Sequence, residues 1–419
     1  MKRKISALIF ALILTLALVP AIAAENAEEA VFISVSARHY HNLAIKSDGS
    51  LWAWGNNNYG QLGDNTVESK LTPVKIMENV IAADAGRGHS LAITYDGSLW
   101  TWGLYENGRW RLGDSATGEN NLTPVKIMDN VKAISAGDNH HNFATKNDGS
   151  LWAWGVNYGR LGDGTTNFVS QWEPVKILDD VVAVSARWAH SLAIKSDGSL
   201  WAWGGNGAGQ IGDGTVTISS GRHPRVTEDH NKLTPVKIMD DVKTISVGGW
   251  HSLVIKNDNS LWAWGGNIDG QIGDGTTISK SMPVKIMDDV KAVSAGEQHN
   301  LVIKNDNSLW AWGNNDYGQL GDGTTVDKLT PVKIMDDVTA VSAGRTHSLV
   351  IKNDGSILLW GRQEREQNGD GTTESNLTII SPTTGDNTAI IIFLFAVVIL
   401  TVMNYKIIKQ KKILKRKNL

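Results

Sequence analysis

The residues of this chain best suited to chemistry are histidines that recur at one position of a repeated stretch. There are seven of them: His41, His89, His141, His190, His251, His299 and His347. A metal centre needs several ligands that converge on one point. Each histidine belongs to a different copy of the stretch, so the fold should spread them apart. We therefore expect structural, hydrogen-bonded histidines rather than metal ligands.

Aspartates recur as well, in a Gly-Asp-Gly-Thr segment and its variants, at Asp64, Asp114, Asp163, Asp213, Asp274, Asp322 and Asp370. Asn314 and Asp316, which precede one of them, have the residue types of a calcium loop but lack its spaced carboxylates and closing glutamate. The adjoining Gly-Gln-Leu-Gly-Asp-Gly has no following Lys-Ser/Thr, so it is not a phosphate loop. The sequence predicts no metal site and no cofactor.

Catalysis on sugars would need two carboxylates at one focus. Residues 47–52 (Ser-Asp-Gly-Ser-Leu-Trp) are similar to the Asp-box of sialidase propellers, but that motif separates its Ser, Asp and Gly by intervening residues. An enzyme of any kind would need an asymmetric carboxylate pair at the centre of the fold. We find no set of unique residues that breaks the repeat to supply one, and we predict a protein without catalytic residues.

The repeated stretch itself ends in Trp-Ala-Trp-Gly or a close variant. Its closing glycines are Gly55, Gly103, Gly155, Gly204, Gly265, Gly313 and Gly361. Self-similarity at a period of this length is typical of repeat architectures and must be interpreted before any local feature. We divide the body of the chain, residues 25–381, into seven units that start near residues 31, 81, 131, 181, 242, 290 and 338.

Each unit contains four short β-type segments bounded by Gly, Asp or Asn, a pattern typical of strands. An Asp-Gly turn between the second and third segments becomes Asp-Asn at Asn259 and Asn307, and both residue types tolerate positive φ. The paired tryptophans lie two residues apart, so they share one face of a strand. That face needs a neighbouring sheet, and seven such units close into an all-β, seven-bladed propeller of four-stranded antiparallel blades. The sequence does not show which strand closes the ring.

The unit resembles the regulator of chromosome condensation repeat, and residues 313–323 (GNNDYGQLGDG) are a near-complete copy of its motif. The resemblance covers about residues 31–380 and implies a seven-bladed propeller. It says less about function, because one fold hosts many functions. The eukaryotic founder of the family exchanges guanine nucleotide on a nuclear GTPase, and a secreted bacterial relative inhibits β-lactamases through its propeller face.

The two ends of the chain predict export. Residues 1–24 have a basic start, an apolar run and a small-residue end, as in a cleaved signal peptide, with an N-terminal membrane anchor as the alternative. There is no cysteine, so an exported fold must be stable through packing alone. The net charge of −3 and the lack of a basic stripe do not indicate nucleic acid.

Residues 382–419 resemble a sortase cell-wall sorting signal. Pro382, Thr383, Thr384 and Gly385 precede an apolar run over residues 389–403 and a basic tail. Ser381 stands where the family usually has Leu. The resemblance implies cleavage between Thr384 and Gly385 and attachment to peptidoglycan; a plain C-terminal membrane anchor is the alternative. Either places the protein on a Gram-positive-type surface.

Function should lie on the propeller face where the copies differ, which carries the first-to-second and third-to-fourth connections of each unit. Tyr, Trp and Arg are the usual anchors of interfaces, and the candidates on this face are Tyr40, Arg87, Trp110, Trp172, Trp188, Trp250 and Arg345. We expect a surface-displayed binding or adhesion module with a protein partner. The alternative is a lectin-like module with Trp188 and Trp250 as platforms for sugars. Inhibition of a secreted enzyme and nucleotide exchange rank below both.

Overall fold

The computed structural model describes residues 30–103, 121–138, 141–166, 171–220, 225–362 and 378–380. The predicted signal peptide, the sorting motif and the apolar run over residues 389–403 lie outside these residues. Within the described part of the chain, no helix is long and apolar enough to span a membrane.

Seven four-stranded antiparallel sheets form the blades of a propeller. Blade 1 contains β1 (Phe32–Ala37), β2 (His41–Lys46), β3 (Leu51–Gly55) and β4 (Lys70–Met77). Blade 2 contains β5 (Val80–Ala85), β6 (His89–Thr94), β7 (Leu99–Gly103) and β8 (Asn121–Met128). Blade 3 contains β9 (Val131–Ala136), β10 (His141–Lys146), β11 (Leu151–Gly155) and β12 (Gln171–Leu178). The predicted fold class is confirmed for the propeller.

Blade 4 differs from the others by an inserted two-stranded hairpin. It contains β13 (Val181–Ala186), β14 (His190–Lys195), β15 (Leu200–Gly204), the hairpin strands β16 (Ile218–Ser220) and β17 (Arg225–Glu228), and β18 (Lys232–Met239). Blade 5 contains β19 (Val242–Val247), β20 (His251–Lys256), β21 (Leu261–Gly265) and β22 (Lys280–Met287). Blade 6 contains β23 (Val290–Ala295), β24 (His299–Lys304), β25 (Leu309–Gly313) and β26 (Lys328–Met335). Blade 7 contains β27 (Val338–Ala343), β28 (His347–Lys352), β29 (Ile357–Gly361) and β30 (Thr378–Ile380).

The ring closes without a strand that crosses the seam, because every blade is built from consecutive strands. Leu349 and Ile351 of blade 7 pack against Phe32 and Trp54 of blade 1 in one buried cluster. The first strands of neighbouring blades contact each other around the whole ring. They therefore line a central channel, and the fourth strands form the outer rim.

The turns between second and third strands have the predicted backbone. Gly49 has φ of +79°, and Asn259 and Asn307, which replace this glycine, have φ of 64° and 62°. In blade 1 the Asp48 carboxylate accepts hydrogen bonds from the Ser50 amide (2.8 Å) and the Ser50 hydroxyl (2.6 Å). The Asp-Gly-Ser sequence therefore suits this turn in two ways. Glycine adopts the positive φ, and the aspartate accepts hydrogen bonds from the serine.

The two tryptophans of the first six units share a strand face, as predicted, but they are not equally buried; in the seventh unit Leu358 replaces the first of them. Trp264 of blade 5 is fully buried against Leu192, Ile194 and other side chains of blade 4, and Trp262 packs at the edge of the same cluster. The Trp264 indole also donates to the Gln210 carbonyl of blade 4 at 2.9 Å. The second tryptophan thus fills the space between blades and satisfies its own N–H there.

A ring of seven hydrogen bonds joins the inner strands. In each case the backbone amide of one blade donates to the hydroxyl or carboxylate oxygen of the preceding blade; Ala37 donates to Ser342 (2.8 Å), and Ala343 donates to Ser294 (2.9 Å). The other five bonds follow the same pattern. Blade 7 joins blade 1 by the same bond as any other pair.

The recurrent histidines form a second ring. In six blades Nε2 pairs with a Ser or Asn side chain of the next blade, for example His89 with Asn142 at 2.7 Å and His347 with Asn42 at 3.0 Å. His141, which follows the extra residue of the third unit, has no such partner within the described residues. No group of three ligating His, Cys, Asp or Glu side chains occurs in the described part. Six of the seven histidines thus have the structural, hydrogen-bonded role that the sequence predicted.

We predict a steep acid sensitivity from these histidines. Burial lowers the pKa of His190 to about 3 and that of His251 to about 4. The unfolded chain, with His pKa of about 6.5, therefore takes up protons first as the pH falls. Stability should be complete above pH ~6.5 and fall below it by up to about 1.4 kcal/mol per histidine per pH unit. Urea unfolding at pH 7, 6 and 5 measures this slope.

The control for this prediction is His190→Gln, which keeps an N–H donor towards Ser252 and cannot titrate in this range. The variant takes up one proton fewer on unfolding. Its free energy of unfolding should therefore fall less steeply with pH than that of the wild type, by the contribution of one histidine. A stability profile that stays flat between pH 7 and pH 5 would contradict the assignment of the acid sensitivity to the histidine ring.

The unequal burial of the tryptophans gives a second prediction. Trp264→Ala removes a fully buried indole between two blades and should lower the free energy of unfolding by about 3–5 kcal/mol. Trp262→Ala removes a half-buried indole on the same strand and should cost about 1 kcal/mol. Denaturant unfolding of both variants compares them directly, and equal losses would show that the second tryptophan has no special part in holding blades together.

Candidate binding face

Two faces of the ring follow from the strand order. The loop face carries the connections from first to second and from third to fourth strands, and the turn face carries the Asp-Gly turns and the turns between blades. Turn-face residues with positive φ recur at equivalent places: Asn79, Asn130, Asp180, Asp241, Asp289 and Asp337. The turn face is therefore built to one plan, whereas the loop face differs from blade to blade.

Trp188 and Trp250 lie together on the loop face, where blades 4 and 5 meet. Their ring centroids are 5.7 Å apart with an interplanar angle of 52°. Trp250 is 39% exposed and Trp188 is half-buried. Ile268, in the third-to-fourth connection of blade 5, is 79% exposed. The loop face of blades 4 and 5 therefore exposes apolar side chains to water. Such exposed apolar surface is typical of sites that bind other molecules.

Tyr40 and Arg345 lie together at the seam of blades 7 and 1. The Arg345 guanidinium forms an ion pair with the Glu297 carboxylate at 2.9 Å. Its Nη1 donates to the Tyr40 hydroxyl at 3.3 Å. These three side chains link blades 6, 7 and 1. They form a polar group on the loop face that is separate from the tryptophan pair of blades 4 and 5.

Three candidates remain: Arg87, Trp172 and Trp110. Arg87 is exposed on the first-to-second connection of blade 2. Trp172, expected in a loop, is the second residue of strand β12, at the end of that strand paired with Gly155. The position is extended because strand β12 starts before its Pro174, which the sequence pattern did not indicate. Trp110 lies outside the described residues.

A charged group at the loop-face end of the channel was missed by the sequence analysis. It consists of Arg38, Asp84, Asp138 and Arg187, which we name the central charge cluster. Arg38 and Arg187 replace the glycine of the repeated Ser-Ala-Gly, Asp84 replaces the serine, and Asp138 belongs to the extra residues of the third unit. These four residues break the repeat at the centre of the ring, and the sequence analysis, which considered the centre only as a place for a catalytic carboxylate pair, did not identify them.

The cluster is held by short contacts from several blades. Arg187 Nε lies 3.1 Å from Asp138 Oδ2, and Arg38 Nη2 lies 3.5 Å from Asp84 Oδ2. Asp84 also accepts from the Ser36 hydroxyl and the Ala136 amide, both at 2.8 Å. Both oxygens of Asp84 and Oδ2 of Asp138 thus accept from donors, an arrangement suited to holding structure rather than to transferring protons.

Electrostatics keep the Asp138 carboxylate ionised although it is fully buried beside Arg187. Burial alone would raise the pKa of Asp138, but the Arg187 charge, the His39 imidazole with its Nε2 3.6 Å from Asp138 Oδ2, and the Arg38 charge together hold that pKa far below its usual range. Burial lowers the pKa of Arg187, and Asp138 opposes the shift. Buried charges persist only when they are paired in this way.

Beneath the arginines, the channel contains a cavity of about 220 Å³. Its lining includes Val35, Val293 and Val341 at the level of the inner strands and the two arginines at its loop-face end. The two arginine side chains therefore border this cavity at the loop-face end of the channel.

Comparison with known proteins agrees with this architecture. The family model of the RCC1-like domain matches residues 77–396, and two models of the regulator of chromosome condensation (RCC1) repeat match residues 48–93 and 32–61. The ultraviolet-B receptor UVR8 of Arabidopsis thaliana is 31% identical over 259 residues, which are 58% of this chain and 54% of that protein. The probable E3 ubiquitin-protein ligase HERC6 of Homo sapiens is 30% identical over 252 residues, 57% of this chain and 24% of HERC6.

The chain thus matches about half of UVR8 and a smaller part of HERC6. Among solved structures, Prp20p of Saccharomyces cerevisiae superposes with a TM-score of 0.66 at 22% identity, covering 76% of this chain and 82% of Prp20p. Human WBSCR16 superposes with a TM-score of 0.63 at 20% identity, covering 76% and 86%. These likenesses show the shared propeller fold. The model of the RCC1-like domain matches residues 77–396, which are most of this chain, and it shows that the chain belongs to the RCC1-like domain family.

Proposed function

We propose that the protein is a non-enzymatic binding module, displayed on a cell surface, that holds a protein partner on its loop face. The observation that carries this proposal is the confinement of variation to one face of a rigid ring. On that face the Trp188–Trp250 pair and Ile268 leave apolar surface in contact with water. Large aromatic anchors set on a rigid scaffold are the usual centres of protein interfaces.

Propellers of this fold support the choice of a protein as partner. The work on Prp20p describes its binding to Gsp1p and histones, and the same yeast protein has been crystallised with Kap60. Those partners belong to Prp20p, and nothing in the described part of the loop face specifies them for this chain. What carries over to our proposal is the use of such a ring as a platform for other proteins.

A lectin-like function is the second candidate, favoured by the tryptophan pair. Sugars stack on exposed aromatic faces, and Trp250 offers such a face. The pair is tilted by 52° rather than coplanar, so it presents an angled apolar surface instead of one flat platform. We therefore rank a protein partner first and test both.

We predict that replacing Trp188 and Trp250 lowers the affinity of the protein for its partner. Residues 25–381 would be screened against arrays of extracellular proteins and of glycans, and each hit would be measured with Trp188→Ala/Trp250→Ala. Loss of both anchors should weaken binding of a protein hit at least tenfold, by about 1.4 kcal/mol or more. Tyr95→Ala is the matched control, because Tyr95 is 78% exposed on the turn face.

The outcomes separate the candidates. Protein hits lost in the tryptophan variant and kept in Tyr95→Ala support the proposal. Glycan hits lost in the same variant would instead make the module a lectin. A partner that depends on Tyr95 and not on the tryptophans would place binding on the turn face and contradict the proposed site.

Surface display rests on the sorting motif and is tested separately. In cells with a sortase, the chain should be released by wall-degrading enzymes, since cleavage between Thr384 and Gly385 would join it to peptidoglycan. Thr384→Ala should shift it from the wall fraction to the membrane fraction, measured by immunoblot. A wild-type chain found in the membrane fraction would favour a plain membrane anchor over the sortase link.

A further inference from the structure

We propose that the central charge cluster is a brace across the channel that positions the binding residues of the loop face. Arg187 and Arg38 are the positioning residues, and they couple blades that do not touch each other. The inference rests on the proposed function only where it concerns partner affinity. The coupling between blades can be measured without any partner.

The Arg187 side chain contacts two blades that do not adjoin its own. It starts from blade 4, and its Nη1 donates to the carbonyl of Ala295 in blade 6 and, at 3.2 Å, to that of Ala343 in blade 7. Its Nη2 donates to the Gly344 carbonyl at 3.0 Å. The serine and histidine rings join only neighbouring blades, whereas this side chain skips blade 5. Five N–H donors in a rigid fork allow an arginine to bind several acceptors at once.

Arg38 completes the brace from blade 1. Its Nε donates to the Ala85 carbonyl of blade 2 at 3.0 Å, and its Nη2 donates to the Ala186 carbonyl of blade 4 at 3.1 Å. Ala186 directly precedes Arg187. The two arginines therefore connect blades 1, 2, 4, 6 and 7, and Asp138 adds blade 3.

The two arginines occupy a position that otherwise requires glycine. In blade 5 a Cβ on Gly248 would lie 2.1 Å from His251 Cε1. The turn bond from this position to the histidine carbonyl is 2.8 Å long in blade 5 but 3.4 Å from Arg187 to His190. Arginine thus loosens a turn that the other blades close tightly. Its contacts across the channel offset that local loss.

The brace adjoins the candidate binding residues along the chain. Trp188 follows Arg187, Arg345 follows Gly344, and Tyr40 lies two residues after Arg38. Backbone bonds add lateral links, because the Arg345 amide donates to the Arg38 carbonyl at 3.0 Å and the Glu297 amide donates to the Gly344 carbonyl at 3.2 Å. A shift of either guanidinium would move the backbone that carries these side chains.

Hydrogen exchange tests this coupling in residues 25–381, which contain all seven blades and the closed ring. Arg187→Lys keeps the charge near Asp138 but cannot span three carbonyls. Arg187→Gly/Asp138→Asn restores the glycine of the other blades and leaves no stranded carboxylate. In both variants we expect the Glu297 and Arg345 amides of blades 6 and 7 to exchange at least fivefold faster than in the wild type.

The Gly248 amide of blade 5 is the internal control, because it bonds within its own blade and should keep its exchange rate. Arg87→Gly is the matched variant control, an exposed loop-face arginine outside the cluster, and should leave all of these amides unchanged. Faster exchange confined to blades 3 and 4, or a uniform increase over all blades, would overturn the brace.

The positioning role is decided by affinity for a partner that depends on Trp188 and Trp250. Arg187→Lys should weaken that binding about tenfold, mainly through faster dissociation. Altered exchange with unchanged affinity would overturn the positioning role while leaving the proposed binding face intact. If no partner depends on the tryptophans, the proposed function fails, and the exchange rates still decide whether the brace couples the blades.

Discussion

A single blade of this protein cannot bury its own tryptophan face, and the rest of the structure depends on that constraint. Trp264 is covered only because Leu192 and Ile194 come from the blade before it. The same requirement passes from blade to blade until Trp54 is covered by blade 7. A ring is the arrangement in which no such face is left over. Without cysteine, this mutual burial and the two hydrogen-bonded rings are the main stabilising interactions that the structure shows.

The same constraint determines where function can lie. The tryptophans, histidines and inner serines are already engaged between blades, so they cannot vary without loosening the ring. The Asp-Gly turns are fixed by positive φ at Gly49 and its equivalents. The first-to-second connections have fewer such obligations, and they accept Tyr40, Trp188 or Trp250 at related places. Residues that differ from blade to blade therefore occur in these connections, because the scaffold tolerates substitution at these positions.

Much of the fold could be predicted because its determinants are local and written seven times. The Asp-Gly turns, the shared face of Trp262 and Trp264 and the separated histidines all follow from short spacings. The candidate face was harder. The pairing of Trp188 with Trp250 and of Tyr40 with Arg345 depends on which blades become neighbours around the ring. The central charge cluster was missed because Arg38 and Arg187 look like isolated departures from glycine, and their contacts lie across the channel rather than along the chain.

Those departures are informative because they are costly. An arginine at a glycine position loosens the turn to its histidine, and a buried guanidinium loses water that only well-placed acceptors can replace. Chance substitution would not be expected to place two arginines where Asp84 and Asp138 lie within 3.5 Å and 3.1 Å of them. In a repeat protein, a residue that breaks the pattern at a buried position must gain contacts that the pattern cannot provide. Here those contacts join blades across the channel, directly beneath the face that differs most.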